Sequence, residues 1–156
     1  MEQPKVIHST FTLERNFRKS PQTVFAALSD PAKLRRWFAG SDQNDVQEFT
    51  VDFRAGGEER LRYRIKSGPV AGQEIINLGH YLDIVPNERI VTARTMALEG
   101  KTFSASQVTF ELLLTKDGTD LICTHQGAYF DMPNGPQMLE AGWRALMDKL
   151  AAELVD

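Results

Sequence analysis

The sequence predicts an α+β fold in which a curved antiparallel sheet of about six or seven strands wraps around a long C-terminal helix. Three observations support this prediction. Two helix-start signals closely follow the first strand, period-two alternation dominates from residue 48 to 127, and a helical period returns at the end. No stretch has the composition of a linker, and no repeat occurs. We therefore expect one domain that covers residues 1–156.

The first strand is predicted over residues 6–17, which are rich in Thr, Phe, Ile and Val. Two short helices should follow it directly. Ser20-Pro21 and Asp30-Pro31 each combine a residue that caps helix N-termini with proline at the first helical position. Each pair therefore predicts a helix start.

The sheet is predicted from segments in which apolar and polar residues alternate. Glycine, proline, asparagine and aspartate punctuate the links between them, which is typical of hairpins and implies antiparallel neighbours. The predicted strands cover residues 49–53, 60–65, 75–85, 89–97, 103–115 and 120–128.

The last segment, residues 135–155, has the apolar spacing of one long amphipathic helix, with leucine or tryptophan at steps of three and four. A helix of ~20 residues is about 30 Å long. A strongly curved sheet wraps farther than one such helix can fill. We therefore expect an enclosed apolar cavity between the helix, the sheet and the two short helices.

Composition and charge exclude several functions. The net charge of -3 has the wrong sign for a protein that binds nucleic acid. No apolar run approaches the ~20 residues of a membrane span, and no signal peptide is recognisable. The one cysteine, Cys123, permits no intrachain disulfide, which favours a cytoplasmic location. No HExxH, CxxC, phosphate loop or GxSxG motif occurs, so we expect neither a metal nor a cofactor.

Several short motifs together resemble a known family. They are Ser20-Pro21 with Asp30-Pro31 and Trp37, the Gly56-Gly57 turn, the strand-turn-strand segment 79–91, the Gly118–Leu121 segment, and Gly142-Trp143. From about Phe11 to Leu154 the chain is similar to homologues of the heat-shock-protein-90 ATPase activator, in the START-like (SRPBCC) helix-grip superfamily. The resemblance implies a helix-grip fold with an internal cavity. It does not imply one reaction, because members of a superfamily use one fold for different functions.

Two positions are informative beside that family pattern. Where many relatives carry an aromatic residue, this chain has Arg94. If Arg94 points inward, the pocket holds a cation and favours an anionic or carbonyl-bearing ligand. Simple strand parity places His80 inward, whereas the family habit of an apolar residue at the next position places Tyr81 inward.

The first functional hypothesis is a protein that binds a small hydrophobic molecule. Trp37 is either a core residue or a lid aromatic, and Trp143 is either core or lining of the cavity. Tyr63, Tyr81, Arg94 and His125 are candidates for orienting the polar end of the ligand. The apolar candidates for the lining are Phe53, Val108, Phe110, Leu112, Leu146 and Leu150.

Two other classes of function stay open. A cyclase-, aromatase- or hydrolase-like enzyme would use His125 or His80 as the base and Arg94 or Tyr63 as the donor, although His125 is also typical of a hydrogen-bonded core histidine. A chaperone ATPase-regulating module, suggested by the family alone, would use a row of arginines at residues 60, 62 and 64. Exposed edge strands are also typical of small domains that form homodimers.

Overall fold

Hairpin links join the alternating segments into one sheet of seven strands, and every neighbouring pair is antiparallel. The computed structural model describes residues 5–155. The sheet order is β1-β7-β6-β5-β4-β3-β2. The strands are β1 (Val6–Phe17), β2 (Asn44–Val51), β3 (Glu58–Ile65), β4 (Glu74–Val85), β5 (Arg89–Leu98), β6 (Lys101–Leu114) and β7 (Thr119–Phe130).

The short helices connect the two edges of this sheet, because β1 and β2 lie at opposite ends of the strand order. Helix α1 is Pro21–Ser29 and helix α2 is Pro31–Leu34. Both predicted caps are confirmed. The Ser20 hydroxyl accepts a hydrogen bond from the Thr23 amide at 3.2 Å, and Asp30 accepts one from the Ala32 amide at 3.0 Å.

Helix α2 continues into a π-helical turn, Arg35–Ala39. The Gly40 amide closes this turn by donating to the Arg35 carbonyl at 2.7 Å, five residues back. Trp37, Phe38 and Ala39 are all buried, although they are consecutive in the chain. The turn therefore brings two aromatic rings and one small side chain to the sheet from a single short segment.

The long helix α3, Gly135–Glu153, lies across the concave face, as the periodicity predicts. Trp143, Met147 and Leu150 are its buried face. At its first residue, a Cβ atom on Gly135 would lie 2.6 Å from the ring of Tyr129. Glycine at this position lets the helix begin directly over β7. No helix of residues 5–155 is long and apolar enough to cross a membrane.

A β-bulge at Leu82 decides which neighbour in β4 faces the core. The pairing of β4 with β5 shifts between Tyr81 and Asp83. Before the bulge Tyr81 is buried and His80 is exposed, and after it Ile84 packs against the core. Tyr81 therefore faces inward, as the family habit indicates. Simple parity fails because the extra residue, Leu82, is 53% exposed and separates two inward-facing runs.

Strand β2 begins at Asn44, five residues earlier than the alternation predicts. Its first half is polar and is interrupted by a bulge between Val46 and Glu48. An edge strand pairs on one side only, and its backbone hydrogen bonds do not require alternating side chains. This is why the sequence pattern misses its beginning.

We expect the contact between α3 and the sheet to contribute strongly to stability. Leu150→Ala removes a fully buried side chain and should lower the free energy of unfolding by about 2–5 kcal/mol. Leu114→Ala is the matched control, because Leu114 is 78% exposed and its loss should change stability by about 0.5 kcal/mol or less. Urea unfolding measures both. Equal losses in the two variants would contradict this packing.

Candidate functional site

A cavity of about 430 Å³ lies between the sheet and residues 138–149 of α3. This volume falls within the range of about 300–1,000 Å³ that is common for small-molecule pockets. Inward-facing residues of β3 to β6 form the floor: Leu61, Tyr63, Ile65, Ile75, Asn77, Met96 and Phe103. One side of α3 forms the roof: Met138, Leu139, Gly142, Trp143, Ala145, Leu146 and Lys149.

Gly142 is one local cause of the cavity. It is an exposed roof position of α3 that lines the cavity. A Cβ atom at this position would meet no other atom within 4 Å. The helix therefore spans open space here, although glycine in a helix costs about 1 kcal/mol relative to alanine.

The cavity opens to solvent on one side, where the lining residues Gln43, Met138 and Gly142 are exposed. The sequence predicts an enclosed cavity, so the structure differs in this respect. The segment after the π-helical turn lies at this opening and contributes Ser41 and Asn44 to the lining.

Elsewhere on the concave face, a cluster of buried side chains forms the core. A second void there has a volume of only about 20 Å³, room for roughly one water molecule. Phe38 and Trp143 line both spaces and separate them. Of the residues predicted to bind ligand, Tyr63, Trp143 and Leu146 line the cavity. Four others, Trp37, Tyr81, Arg94 and Phe110, surround the small void.

The remaining candidates lie in packed regions of the core, outside the lining of both spaces. The Phe53 ring packs against Tyr81 at 4.9 Å between ring centres. Val108 is buried, and it pairs with His125 across β6 and β7. The apolar candidates Leu112 and Leu150 are also buried core residues.

Trp37 has a structural contact that explains its position. Its indole N–H donates to the Ala27 carbonyl at 2.7 Å in the interior. This bond ties the π-helical turn to α1 and satisfies the only polar group of the side chain. Trp37 is buried beneath the turn, and its polar edge is already occupied.

Arg94 does point inward, where it forms a buried ion pair. Its guanidinium donates to Glu59 at 2.6 Å, and both side chains are less than a tenth exposed. The Tyr81 hydroxyl donates to the other Glu59 oxygen, also at 2.6 Å. Gly79 lies opposite Arg94 in the sheet, where a Cβ atom would come within 3.0 Å of the guanidinium. The chain therefore makes room for this group with a glycine.

Glu59 neutralises the charge that Arg94 would otherwise offer to a ligand. Burial, followed by the nearby carboxylate of Glu59, raises the pKa of Tyr81, so its hydroxyl stays protonated and donates. Arg94 thus points inward, but its charge is paired with Glu59 and it lines the small void, not the cavity. Glu59 is not among the site residues predicted from the sequence. It lies two and four residues before Leu61 and Tyr63 on the same strand, and this spacing indicates that it faces inward with them.

Neither candidate histidine lines the cavity. His125 stacks on Phe11 with 4.8 Å between ring centres, and its Nδ1 has no hydrogen-bond partner within the described residues. Burial lowers the pKa of His125 to about 4, so the ring is neutral at pH 7. His80 is half exposed on the other face of the sheet, 3.6 Å from Glu58.

The described residues contain no group of three or more His, Cys, Asp or Glu side chains that could hold a metal ion. Cys123 is fully buried, and burial raises the pKa of its thiol to about 12. The thiolate is the reactive form of cysteine, so this side chain packs as a small core residue.

Removing the carboxylate that pairs with Arg94 should destabilise the fold. Glu59→Gln keeps the shape of the side chain but leaves a buried cation unpaired, so we expect a loss of about 3–5 kcal/mol. Glu48→Gln breaks the partly exposed pair with Arg60 and should lose less than about 1 kcal/mol. Chemical unfolding at pH 7 compares the two variants. A loss for Glu59→Gln no larger than that of the control would contradict the assigned role.

The pKa of His125 predicts a pH-dependent stability. Between the ordinary pKa of 6.5 and about 4 the unfolded chain binds a proton that the folded chain does not. The free energy of unfolding should therefore fall as the pH decreases, by roughly 1 kcal/mol at pH 5.5 relative to pH 7.5.

His125→Phe should remove this contribution, whereas His8→Phe, which changes an exposed histidine, should retain it. Urea unfolding at the two pH values measures the difference. The same pH dependence in His125→Phe and in the parent protein would be inconsistent with a buried, neutral His125.

Solved structures resemble the chain over almost its whole length. The protein Mll3558 from Rhizobium loti is 44% identical, with a TM-score of 0.84, and the match covers 96% of this chain and 99% of that chain. A protein from Rhizobium leguminosarum is 31% identical, with a TM-score of 0.87, and the match covers 96% and 95% of the two chains. No curated protein matches this chain.

An AHSA1-like protein from Aeromonas hydrophila shares the fold at 18% identity, with a TM-score of 0.65 over 93% of this chain and 91% of that chain. Residues 18–155 match the family model described as Activator of Hsp90 ATPase homolog 1-like protein. That match covers both short helices, all strands after β1, and α3. The chain therefore belongs to the family of Activator of Hsp90 ATPase homolog 1-like proteins (AHSA1) and has the helix-grip fold of the START-like superfamily.

Proposed function

We propose that this protein binds a small hydrophobic molecule in the cavity beneath α3. The observation that carries the proposal is the cavity itself, which is largely apolar, open on one side, and about 430 Å³ in volume. An apolar molecule gains about 25 cal/mol for each Å² of surface that it removes from water. Burial of the ligand's apolar surface against this lining therefore provides affinity, and no catalytic group is needed for binding.

The cavity combines an apolar majority with a few polar groups, as is typical of ligand sites. Trp143 and Leu146 on α3 face Leu61 and Ile75 on the sheet, which favours an apolar body between the two layers. Tyr63 offers a hydroxyl within this lining, and burial raises its pKa. The hydroxyl is therefore a neutral donor that can orient a ligand.

The arrangement gives less support to histidine-based catalysis. A cyclase-, aromatase- or hydrolase-like reaction would need a base and a donor that converge on one open volume. His125 is packed against Phe11, His80 lies on the other face of the sheet, and Glu59 already holds Arg94. Binding is therefore the function that the geometry favours.

The arginine row gives little support to a partner-binding role. Arg60 and Arg62 form ion pairs with Glu48, and Arg62 also pairs with Glu74. The guanidinium of Arg64 donates to the Gly72 carbonyl. The ion pairs of Arg60 and Arg62 within the chain compete with recognition by a chaperone, whereas Arg64 makes only a hydrogen bond to a neutral carbonyl.

A neutral environment-sensitive dye tests the proposal. N-phenylnaphthylamine should bind the protein at one site with an increase in fluorescence. Gly142→Trp should weaken this binding by about tenfold or more, because the new ring fills open space beneath the helix. Fluorescence titration measures the dissociation constant, and melting curves verify the fold of each variant.

Ala141→Trp is the matched control, because Ala141 is an exposed neighbour on α3 that does not line the cavity. We expect it to bind the dye like the parent protein. The absence of dye binding in the parent protein would overturn the proposed function. Equal binding by Gly142→Trp and the parent protein would overturn the location.

A further inference from the structure

The cavity lining contains a lysine that forms no salt bridge with any carboxylate of the described residues. Lys149 lies on α3 at the side of the cavity near the π-helical turn, and it is partly buried. Its ammonium group donates a hydrogen bond to the Gly40 carbonyl. It forms no ion pair with any side chain in residues 5–155. One donor position is therefore used, and the nearby carboxylate of Asp42 offsets the positive charge only in part, without a salt bridge.

The contrast with Arg94 is informative. Both cations face the space between the helix and the sheet, but Arg94 is paired with Glu59 at 2.6 Å. Asp42 is close enough to raise the pKa of Lys149, yet burial has the larger effect and the net pKa is lowered. The surroundings of Lys149 therefore disfavour its charged form unless an anion arrives.

The other polar groups of the lining offer donors. Asn77 lines the cavity, and its side-chain oxygen accepts a hydrogen bond from Arg94 at 3.2 Å. Arginine can only donate, so this contact fixes the amide orientation and leaves the NH₂ group of Asn77 unpaired. The Tyr63 hydroxyl also makes no hydrogen bond within the described part of the chain. Lys149, Asn77 and Tyr63 thus present donors for which the protein supplies no acceptor.

We propose that the ligand is an amphipathic carboxylic acid, whose apolar body occupies the cavity and whose carboxylate binds Lys149. This inference rests on the proposed binding function and specifies its ligand class. A carboxylate supplies up to four acceptor sites, which matches a lining rich in donors. It also places a negative charge in direct contact with Lys149, which no carboxylate of residues 5–155 does, and charge-assisted hydrogen bonds are about twice as strong as neutral ones.

Decanoate and decanol, which share a ten-carbon chain and differ in the charge of the head group, provide the test. Each is titrated against the protein with bound N-phenylnaphthylamine at pH 8, and displacement gives its dissociation constant. The measured quantity is the dissociation constant of decanoate divided by that of decanol. A substitution that weakens the binding of both molecules equally leaves this ratio unchanged. Lys149→Met should raise this ratio by about tenfold.

Three variants control the measurement. Lys149→Arg keeps the positive charge and should change the ratio far less than Lys149→Met. Lys116→Met removes an exposed lysine outside the cavity lining and should leave the ratio unchanged. Asp42→Asn removes the nearby exposed carboxylate and should lower the ratio, because the potential at Lys149 becomes more positive. This last variant tests the proposal even if Lys149→Met fails to fold.

The outcomes separate this inference from the proposed function. If the dye binds but Lys149→Met weakens decanoate and decanol equally, Lys149 serves only to hold the Gly40 carbonyl, and the carboxylate assignment is overturned. If Asp42→Asn leaves the ratio unchanged, the electrostatic argument fails as well. If neither the dye nor decanol binds the parent protein, the proposed function itself is wrong.

Discussion

The concave face of the seven-stranded sheet is broader than one helix can cover. A helix of 19 residues is about 28 Å long at 1.5 Å per residue, and its buried face is a narrow stripe that includes Trp143 and Leu150. The part of the concave face that the helix does not cover must be filled by additional side chains or left open. The short helices and the π-helical turn fill one part with Trp37 and Phe38. The part beneath residues 138–149 of α3 is left open as the cavity.

The interior polar groups follow from the same constraint. Arg94 extends into the filled part, away from solvent, where an unpaired cation would be strongly destabilising. Glu59 and Tyr81 complete its contacts there, and the Phe38 ring lies 5.1 Å from the guanidinium carbon. Lys149 lies at the open part, where a partly exposed ammonium keeps some hydration. Because water can still reach it, the fold tolerates this charge without a salt bridge, and a ligand can take the place of that water.

Local sequence signals predict most elements but not every strand limit or orientation. The Ser20 and Asp30 caps act over two or three residues, so the sequence reveals them directly. The orientation of Tyr81 depends on a bulge that forms only when β4 pairs with β5, so alternation alone predicts the wrong face. Glu59 carries an inward parity in the sequence, yet its role depends on Arg94, 35 residues away in the chain. Pairings at this sequence separation leave no periodic signal.

The order of the elements, the inward face of most strands and the apolar stripe of α3 can be read from the amino-acid sequence alone. These follow from hydrogen-bonding and burial preferences that repeat every two residues in strands and every 3.6 residues in helices. The enclosure of His125 by packing, the pairing of Glu59 with Arg94 and the open space beside Gly142 emerge only in the folded chain. Inward-facing side chains either fill the interior or leave a cavity, depending on whether their combined volume matches the space that the fold encloses. The side chains that fill one region come from residues far apart in the chain, so the sequence pattern does not reveal this match.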